Sequence, residues 1–354
     1  MWWLLWIALG LVGAAVLAVA LALAALYVYL YLYYLRYLVR IFQEKPLFIV
    51  PKGQPVEDAQ EVSFPNSDGQ TLRGIYWPTA QPHRQGVILF GLEFGSNRWS
   101  CVPYCQFLRD AGFDIFTFEF RGQGDSEPEP GYEPLQWVTD HEVMDVFAAL
   151  TYLQGRPDAD PRGAGFFGIS KGGSAGLLAA ARSPYLRCCV TDGVFATHST
   201  MVPYMRKWIS IYSKRALLQK LLPDWYYGLL ARAGLKLIRR DNGCRFPHLE
   251  RALPKLAPRP LLMIHGGADT YIKPEMARAL YRLARQPKEL WVVEGAKHNQ
   301  ALHEAGEEYR RRVLAFFCHH LASDLASSNG AAAMIDGTPK SHAPVGPEIS
   351  EGTA

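Results

Sequence analysis

Nine residues, Gly165-Phe166-Phe167-Gly168-Ile169-Ser170-Lys171-Gly172-Gly173, constrain this chain more than any other stretch. An apolar run of strand type meets a serine bracketed by glycines, and a small, apolar segment over 173–183 follows at once. Glycine on both sides lets a strand and a helix pass in backbone contact, so the turn can be sharp and the hydroxyl held out over the sheet edge. That is a nucleophile elbow, and the following helix points its first amides at the reacting centre. A bare Gly-x-Ser-x-Gly also arises by chance in a chain with 31 glycines, so the surrounding elements must carry the weight.

Those elements alternate. Strands at 61–64 and 72–77 flank Asn66-Ser67-Asp68-Gly69, a hairpin with an Asp-Gly turn. A buried strand over 86–91 precedes a helix over 99–111, a strand over 113–120 and the loop Arg121-Gly122-Gln123-Gly124-Asp125-Ser126. A helix over 137–153 turns Val143, Val146, Phe147 and Leu150 to one face. Beyond the elbow come a strand at 188–191, a helical insert over about 195–256, strands at 260–265 and 289–293, and helices at 274–285 and 304–320. This alternation predicts an α/β fold, a mostly parallel sheet covered by helices on both faces. From 322 to 354 Ser, Gly, Ala and Pro dominate without period, which predicts a disordered tail.

No charged side chain precedes Arg36, and residues 6–27 alone would reach about 33 Å as helix. Trp2, Trp3 and Trp6 mark one end and Tyr27, Tyr29, Tyr31, Tyr33 and Tyr34 the other, the distribution of aromatics at two membrane interfaces. Residues 1–40 therefore read as a single-pass transmembrane anchor. A cleavable signal peptide is the competing reading, but it calls for basic residues first, a shorter apolar run and a small-residue cleavage site. Arg36, Arg40, Lys45 and Lys52 all follow the span, which places the catalytic body in the cytoplasm.

A net charge of +4, with no zinc-finger or basic-helix pattern, excludes a nucleic-acid partner. The six cysteines (Cys101, Cys105, Cys188, Cys189, Cys244 and Cys318) are scattered in a chain too large to need a disulfide framework, so reduced, buried thiols are expected. Cys101 and Cys105 can share a helix face, but no second ligand pair follows and no metal site is assigned.

Over about 58–320 the order of motifs resembles the α/β-hydrolase superfamily, in particular its serine aminopeptidase-like and dienelactone-hydrolase-like members. The likeness rests on Gly168-Ile169-Ser170-Lys171-Gly172, the Phe120 to Ser126 loop, His265-Gly266-Gly267-Ala268-Asp269 and Gly295-Ala296-Lys297-His298. It implies an α/β-hydrolase domain at 58–320 with a helical cap insert, and a triad of Ser170, Asp269 and His298 in that chain order. The chemistry agrees: serine needs an imidazole to take its proton, and the imidazole needs a carboxylate to fix its tautomer. Asp192, ending the preceding strand, is the rival acid; His248, His265, His319 and His320 fit the base position less well. Backbone amides of Lys171 and Leu92 are the expected oxyanion donors, although Phe90-Gly91 replaces the family's usual His-Gly and Glu93 could hold the place of Leu92. Arg121 and Asp125 read as partners that tie their loop down.

The sequence thus predicts a membrane-anchored serine hydrolase acting on a carboxylic ester or acyl lipid through an acyl-enzyme on Ser170, with no cofactor. A peptidase or acyl-thioesterase on the same triad is the alternative within the class, and an inactive fold serving as a membrane interaction module the alternative outside it. Oligomeric state is not assigned. Between 201 and 246 ten basic residues face two acidic ones, and Met201, Tyr204, Trp208, Ile211 and Tyr212 recur at helical spacing. The insert is therefore either a lid lying on the membrane or a cap whose apolar face covers the site and whose basic residues face water.

Overall fold

The computed structural model describes residues 2–43, 52–212 and 222–322. Lys45, the cap segment 213–221 with Lys214, Arg215 and Lys220, and the expected tail from 323 onward lie outside the described residues. The strands are β1 (Gln60–Pro65), β2 (Thr71–Trp77), β3 (Gly86–Gly91), β4 (Phe113–Phe118), β5 (Ala164–Ile169), β6 (Leu186–Asp192), β7 (Leu261–Gly266) and β8 (Lys288–Val293). The helices are α1 (Trp2–Tyr33), α2 (Leu35–Gln43), α3 (Val102–Asp110), α4 (Asp140–Gly155), α5 (Ser170–Ala180), α6 (Thr197–Tyr212), α7 (Asp224–Asp241), α8 (Leu249–Ala252), α9 (Pro274–Leu283) and α10 (Ala301–His320).

The strands form one eight-stranded sheet in the order β1-β2-β4-β3-β5-β6-β7-β8. β2 pairs antiparallel with β1 and β4, and every other pairing is parallel. Every residue of β3, β4, β5 and β7 is buried, as strands covered on both faces require. Alternation divides them: Val87, Leu89, Phe116 and Phe166 join one core, and Ile88, Phe90, Ile115 and Phe167 join the other with Tyr309 and Phe317 of α10. Each such side chain contributes about 1.5–3 kcal/mol by burial.

The register aligns the carboxyl ends: Gly91 sits opposite Gly168, Ile169 opposite Asp192, and Asp192 opposite Ile264. The loops that leave β3, β5, β6 and β7 therefore emerge side by side, where ligands bind in parallel sheets. Some boundaries differ from the sequence reading. β4 stops at Phe118, because the Glu119 carboxylate turns to the Arg98 guanidinium (3.1 Å) and backbone amide (3.0 Å). α4 starts at Asp140 rather than 137, since Thr139 and Glu142 form a capping box. α5 starts at the serine itself.

α1 has 32 residues and a mean hydropathy of 2.7 over its most apolar stretch, with no residue buried, so by length and composition it can cross a membrane. α2 is different. Leu35, Val39 and Phe42 are buried while Arg36, Tyr37 and Arg40 are exposed. Between β6 and β7 lie α6, α7 and α8, and a third core joins α2 to α6 and α7. The apolar stripe of α6 does not turn outward: Met201 and Tyr204 are buried in that core. The side chains of 208–212 lie outside the described residues.

Candidate active site

At the end of β5 the backbone turns through Ser170 at φ +49°, a left-handed conformation that costs a residue with a side chain about 1–3 kcal/mol. Strand and helix hold it there because their glycines let them touch. A Cβ on Gly168 would fall 2.6 Å from Gly173 Cα, and one on Gly172 would fall 2.3 Å from the Leu92 carbonyl oxygen. The second contact fixes the loop after β3 against the elbow, so Leu92 and Lys171, the expected oxyanion donors, are neighbours at one edge.

Ser170 Oγ lies 3.1 Å from His298 Nε2, and His298 Nδ1 lies 2.7 Å from Asp269 Oδ2. His298 comes from the loop after β8 and Asp269 from the turn after β7. The other oxygen of Asp269 accepts the backbone N–H groups of Tyr271 (2.7 Å) and Ile272 (2.9 Å), which aims the carboxylate at the imidazole. Burial works to raise the Asp269 pKa, but the His298 hydrogen bond and charge and the Ile272 amide outweigh it, holding the carboxyl below the usual range. The structure thus brings the three residues singled out from sequence into one hydrogen-bonded row.

The rival acid is engaged elsewhere. Asp192 is fully buried and accepts the Tyr309 hydroxyl (3.1 Å), while its Oδ1 has no partner among the described residues. Burial, aided by the fields of Glu93 and Asp269 and opposed by Tyr309 and His298, pushes its carboxyl up to about 7. His265 donates from Nε2 to the Ile272 carbonyl (2.7 Å), and His248 stacks on His198 with centroids 3.6 Å apart. Cys101 and Cys105 are buried, and burial pushes the Cys101 thiol up to about 12, so neither is a thiolate at neutral pH.

Arg121 and Asp125 hold structure, as expected. The Arg121 guanidinium bonds Asp145 (2.6 Å), Glu129 (2.6 Å) and Asp68 (2.8 Å), and Asp125 pairs with Arg98 (2.6 Å). Asp68, Glu129 and His141 converge closely enough to suggest ligands for a cation, but the cation they meet is Arg121, whose Nη1 is 2.9 Å from His141 Nδ1.

Two parts of the site were not read from the sequence. The Lys171 side chain, next to the nucleophile, is fully buried and donates to Glu142 (2.8 Å) and the Leu135 carbonyl (2.5 Å). Glu142 also accepts the Tyr132 hydroxyl (2.6 Å) and the Thr139 hydroxyl (2.7 Å). Burial opposes its ionisation, yet Lys171 and these donors keep Glu142 below the ordinary range. This pair ties the elbow to the N-terminus of α4; its one sequence signal is the Thr139-x-x-Glu142 box. The second part is the side-chain role of Glu93, named from the sequence only as a possible backbone donor: it accepts Asn299 Nδ2 and so links the loop of Leu92 to the loop of His298. Burial raises the Glu93 pKa, against Asn299 and His298.

A narrow cleft of about 40 Å³ lies beside Ser170 and His298, walled by Phe94, Trp137, Phe195, Tyr204 and Tyr271 with Glu93 and Gln136 at its polar positions. An imidazole bonded to a serine hydroxyl on one side and an ionised carboxylate on the other can accept the serine proton and later return it to a leaving group, the chemistry of acyl transfer.

An elbow serine on a mostly parallel eight-stranded sheet, with an acid after β7 and a histidine after β8, defines an α/β hydrolase. The chain belongs to the alpha/beta hydrolase family, whose model matches residues 90–312. It is similar to the uncharacterized protein YfhR of Escherichia coli (strain K12), 25% identical over 264 residues that cover 73% of this chain and 80% of that one. It also resembles the polyketide transferase ATR5 of Stachybotrys chlorohalonatus, 24% identical with 73% and 96% covered. Among solved structures the Pyrococcus furiosus esterase Pf2001 shares the fold, with a TM-score of 0.59 and 20% identity over 78% of this chain and all of that one (100%).

Proposed function

We propose that this hydrolase is a membrane-anchored serine hydrolase that cleaves a carboxylic ester or acyl lipid through an acyl-enzyme on Ser170. The observation that carries the reading is the row Ser170–His298–Asp269 at the floor of an aromatic cleft. His298 takes the Ser170 proton as Oγ attacks the acyl carbon, and Asp269 favours the imidazolium that forms. Amides of Lys171 and Leu92 receive the developing oxyanion. His298 then protonates the leaving alkoxide and activates the water that releases the acid, so the cycle needs no cofactor. In this reading α1 is the anchor, and the basic residues Arg36 and Arg40 just beyond it support a cytoplasmic catalytic body.

A second reading keeps the same residues and changes the bond. The likeness, over 37% of this chain, to the thiohydrolase aneE of Aspergillus aculeatus favours an acyl thioester substrate. Side-by-side kcat/KM for an ester and a thioester of the same acyl group separates the two.

The reading is tested with a fluorophosphonate probe on the purified full chain. Labelling should map to Ser170 and vanish in Ser170→Ala, and Asp269→Asn should lower kcat by about four orders of magnitude. Persistent labelling of Ser170→Ala would move the nucleophile elsewhere. A wild-type protein that takes no label would instead support a hydrolase fold used as an interaction module.

A further inference from the structure

The helix that links the anchor to the hydrolase body reaches the wall of the catalytic cleft. Leu35, Val39 and Phe42 of α2 share one side at the i, i+4, i+7 spacing, and all are buried. Leu35 and Val39 lie over Gly234 of α7, where a Cβ would be 3.8 Å from a methyl group of each. Phe42, 2% exposed, goes further in. Its ring stacks on Tyr204 (centroids 5.5 Å, interplanar angle 30°) and stands at 70° to Trp137 (6.0 Å). Its carbonyl accepts Trp137 Nε1–H (3.1 Å). Trp137 and Tyr204 meet at 5.1 Å, nearly perpendicular, and both face the cleft beside Ser170. One residue of the juxtamembrane helix thus holds the indole by hydrogen bond and ring contact and the phenol by stacking. Aromatic pairs of this kind contribute about 0.5–1.5 kcal/mol each beyond area burial.

α1 is engaged by the same core. Tyr226 of α7 donates to the Leu23 carbonyl (3.3 Å) and meets Tyr27 at right angles, and Leu26 and Leu30 pack there too. Residues 2–22 then remain as apolar helix free of the cap, about 31 Å at about 1.5 Å per residue, against a hydrocarbon core of about 30 Å. The cleft wall and the point where α1 leaves the bilayer are parts of one apolar cluster.

We propose that α2 belongs to the substrate site: Phe42 is a positioning residue that sets Trp137 and Tyr204, and through them the depth of a pocket for the acyl chain of an amphiphilic ester drawn from the adjoining leaflet. The chemistry of the wall selects this substrate class. It is mostly aromatic, its polar positions are Glu93 and Gln136, and no lysine or arginine lines it among the described residues, so an aliphatic chain fits where an anionic group does not. The inference rests on the reading of Ser170 as nucleophile. Removing the Phe42 ring frees the indole and phenol to retreat, which lengthens the pocket.

The test uses the full chain in lipid nanodiscs and p-nitrophenyl esters from acetate to dodecanoate. In Phe42→Ala the ratio of kcat/KM for octanoate and longer esters to that for acetate should rise about ten-fold. Phe42→Leu should return most of the original profile. Leu35→Ala, which loosens α2 at a position remote from the cleft, should leave the ratio unchanged. An unaltered profile in Phe42→Ala, or one uniform loss shared by Phe42→Ala and Leu35→Ala, would reduce α2 to a docking helix and overturn the proposal. A second arm reads binding without turnover: in Ser170→Ala, Phe42→Ala should shift the chain-length dependence with which fatty acids displace cis-parinaric acid. Failure of that arm in a protein whose wild type takes the fluorophosphonate label sinks the wall alone. Failure of labelling with the binding shift intact sinks the nucleophile alone.

Discussion

Two buried carboxylates end neighbouring strands near one imidazole, and their surroundings set them apart. Asp269 receives two backbone amides and the His298 ring, so its charge is stabilised; Asp192 receives one phenol and its second oxygen is unmet. With a folded-state pKa near 7 against an unfolded value of about 3.9, Asp192 keeps its proton in the fold where the unfolded chain loses it. The native state then binds more protons between about pH 4 and 7, so stability falls as pH rises through that window and the full cost remains above it. Asp192→Asn removes the charge and keeps the shape. We expect little change in Tm at pH 4 and a rise of several degrees over wild type at pH 8, read by calorimetry. A Tm difference that is the same at both pH values would show that Asp192 does not titrate there. Asp192 and Asp269 both come at or just after the end of an apolar strand, so the sequence that favoured Asp269 kept Asp192 as a rival; the bond of Asp269 to His298 and of Asp192 to Tyr309 separate them. The link of Glu93 to Asn299 and the role of the Lys171 side chain escaped because their partners are distant in the chain; the box that contains Glu142 signals a helix start, not a partner for Lys171.

The elbow was legible because its requirement is local. Glycine at 172 is forced by the Gly91 and Leu92 backbone, whose atoms lie within 2.3–2.5 Å of where a Cβ would sit. A methyl group there must push the loop of Leu92 away from Ser170. Gly172→Ala should therefore lower kcat/KM about 100-fold or more, the scale of losing one oxyanion donor, and slow fluorophosphonate labelling in parallel. Gly155→Ala, at the end of α4 with open space around it, should behave as wild type. Retention of full activity by Gly172→Ala would mean that this loop does not supply the oxyanion site. The strands were legible too, each a short apolar run bounded by turn residues. α2 was not, because its nine residues continue an apolar run and its amphipathic side becomes meaningful only once α7 offers Gly234 to receive it. The stripe on α6 left two readings open: helical spacing shows that Met201 and Tyr204 share a face, and only the fold shows that these two turn inward, as in the cap reading.

At the scale of the whole molecule, the anchor and α7 run side by side, and their compositions change together. α7 meets Leu23 and Tyr27 of α1 at Tyr226 and Leu35 and Val39 of α2 at Gly234, so it runs in the same direction as α1, out of the proposed bilayer. Its exposed residues run Asp224, Trp225, Leu229, Arg232, Lys236, Arg239, Arg240 and Asp241, with Asp224 paired to Arg206 at 2.8 Å. Aromatic and apolar residues thus sit at the deep end and basic ones beyond, the gradient of a bilayer interface, where each basic residue near an anionic surface contributes about 1 kcal/mol. Trp225, 57% exposed, should be embedded at that level. Five of the six native cysteines are buried and Cys318 is half-buried, which makes an introduced cysteine selectively modifiable. We expect an environment-sensitive dye on Trp225→Cys in anionic nanodiscs to emit at shorter wavelength and to be quenched by spin-labelled lipid. The same dye on Leu283→Cys, exposed on α9, should respond to neither. In intact cells an impermeant maleimide added outside should leave Leu283→Cys unmodified if the body lies inside, as we propose from Arg36 and Arg40. Equal quenching at the two positions would detach the cap from the bilayer, and modification from outside would reverse the topology while leaving the depth of Trp225 unaffected.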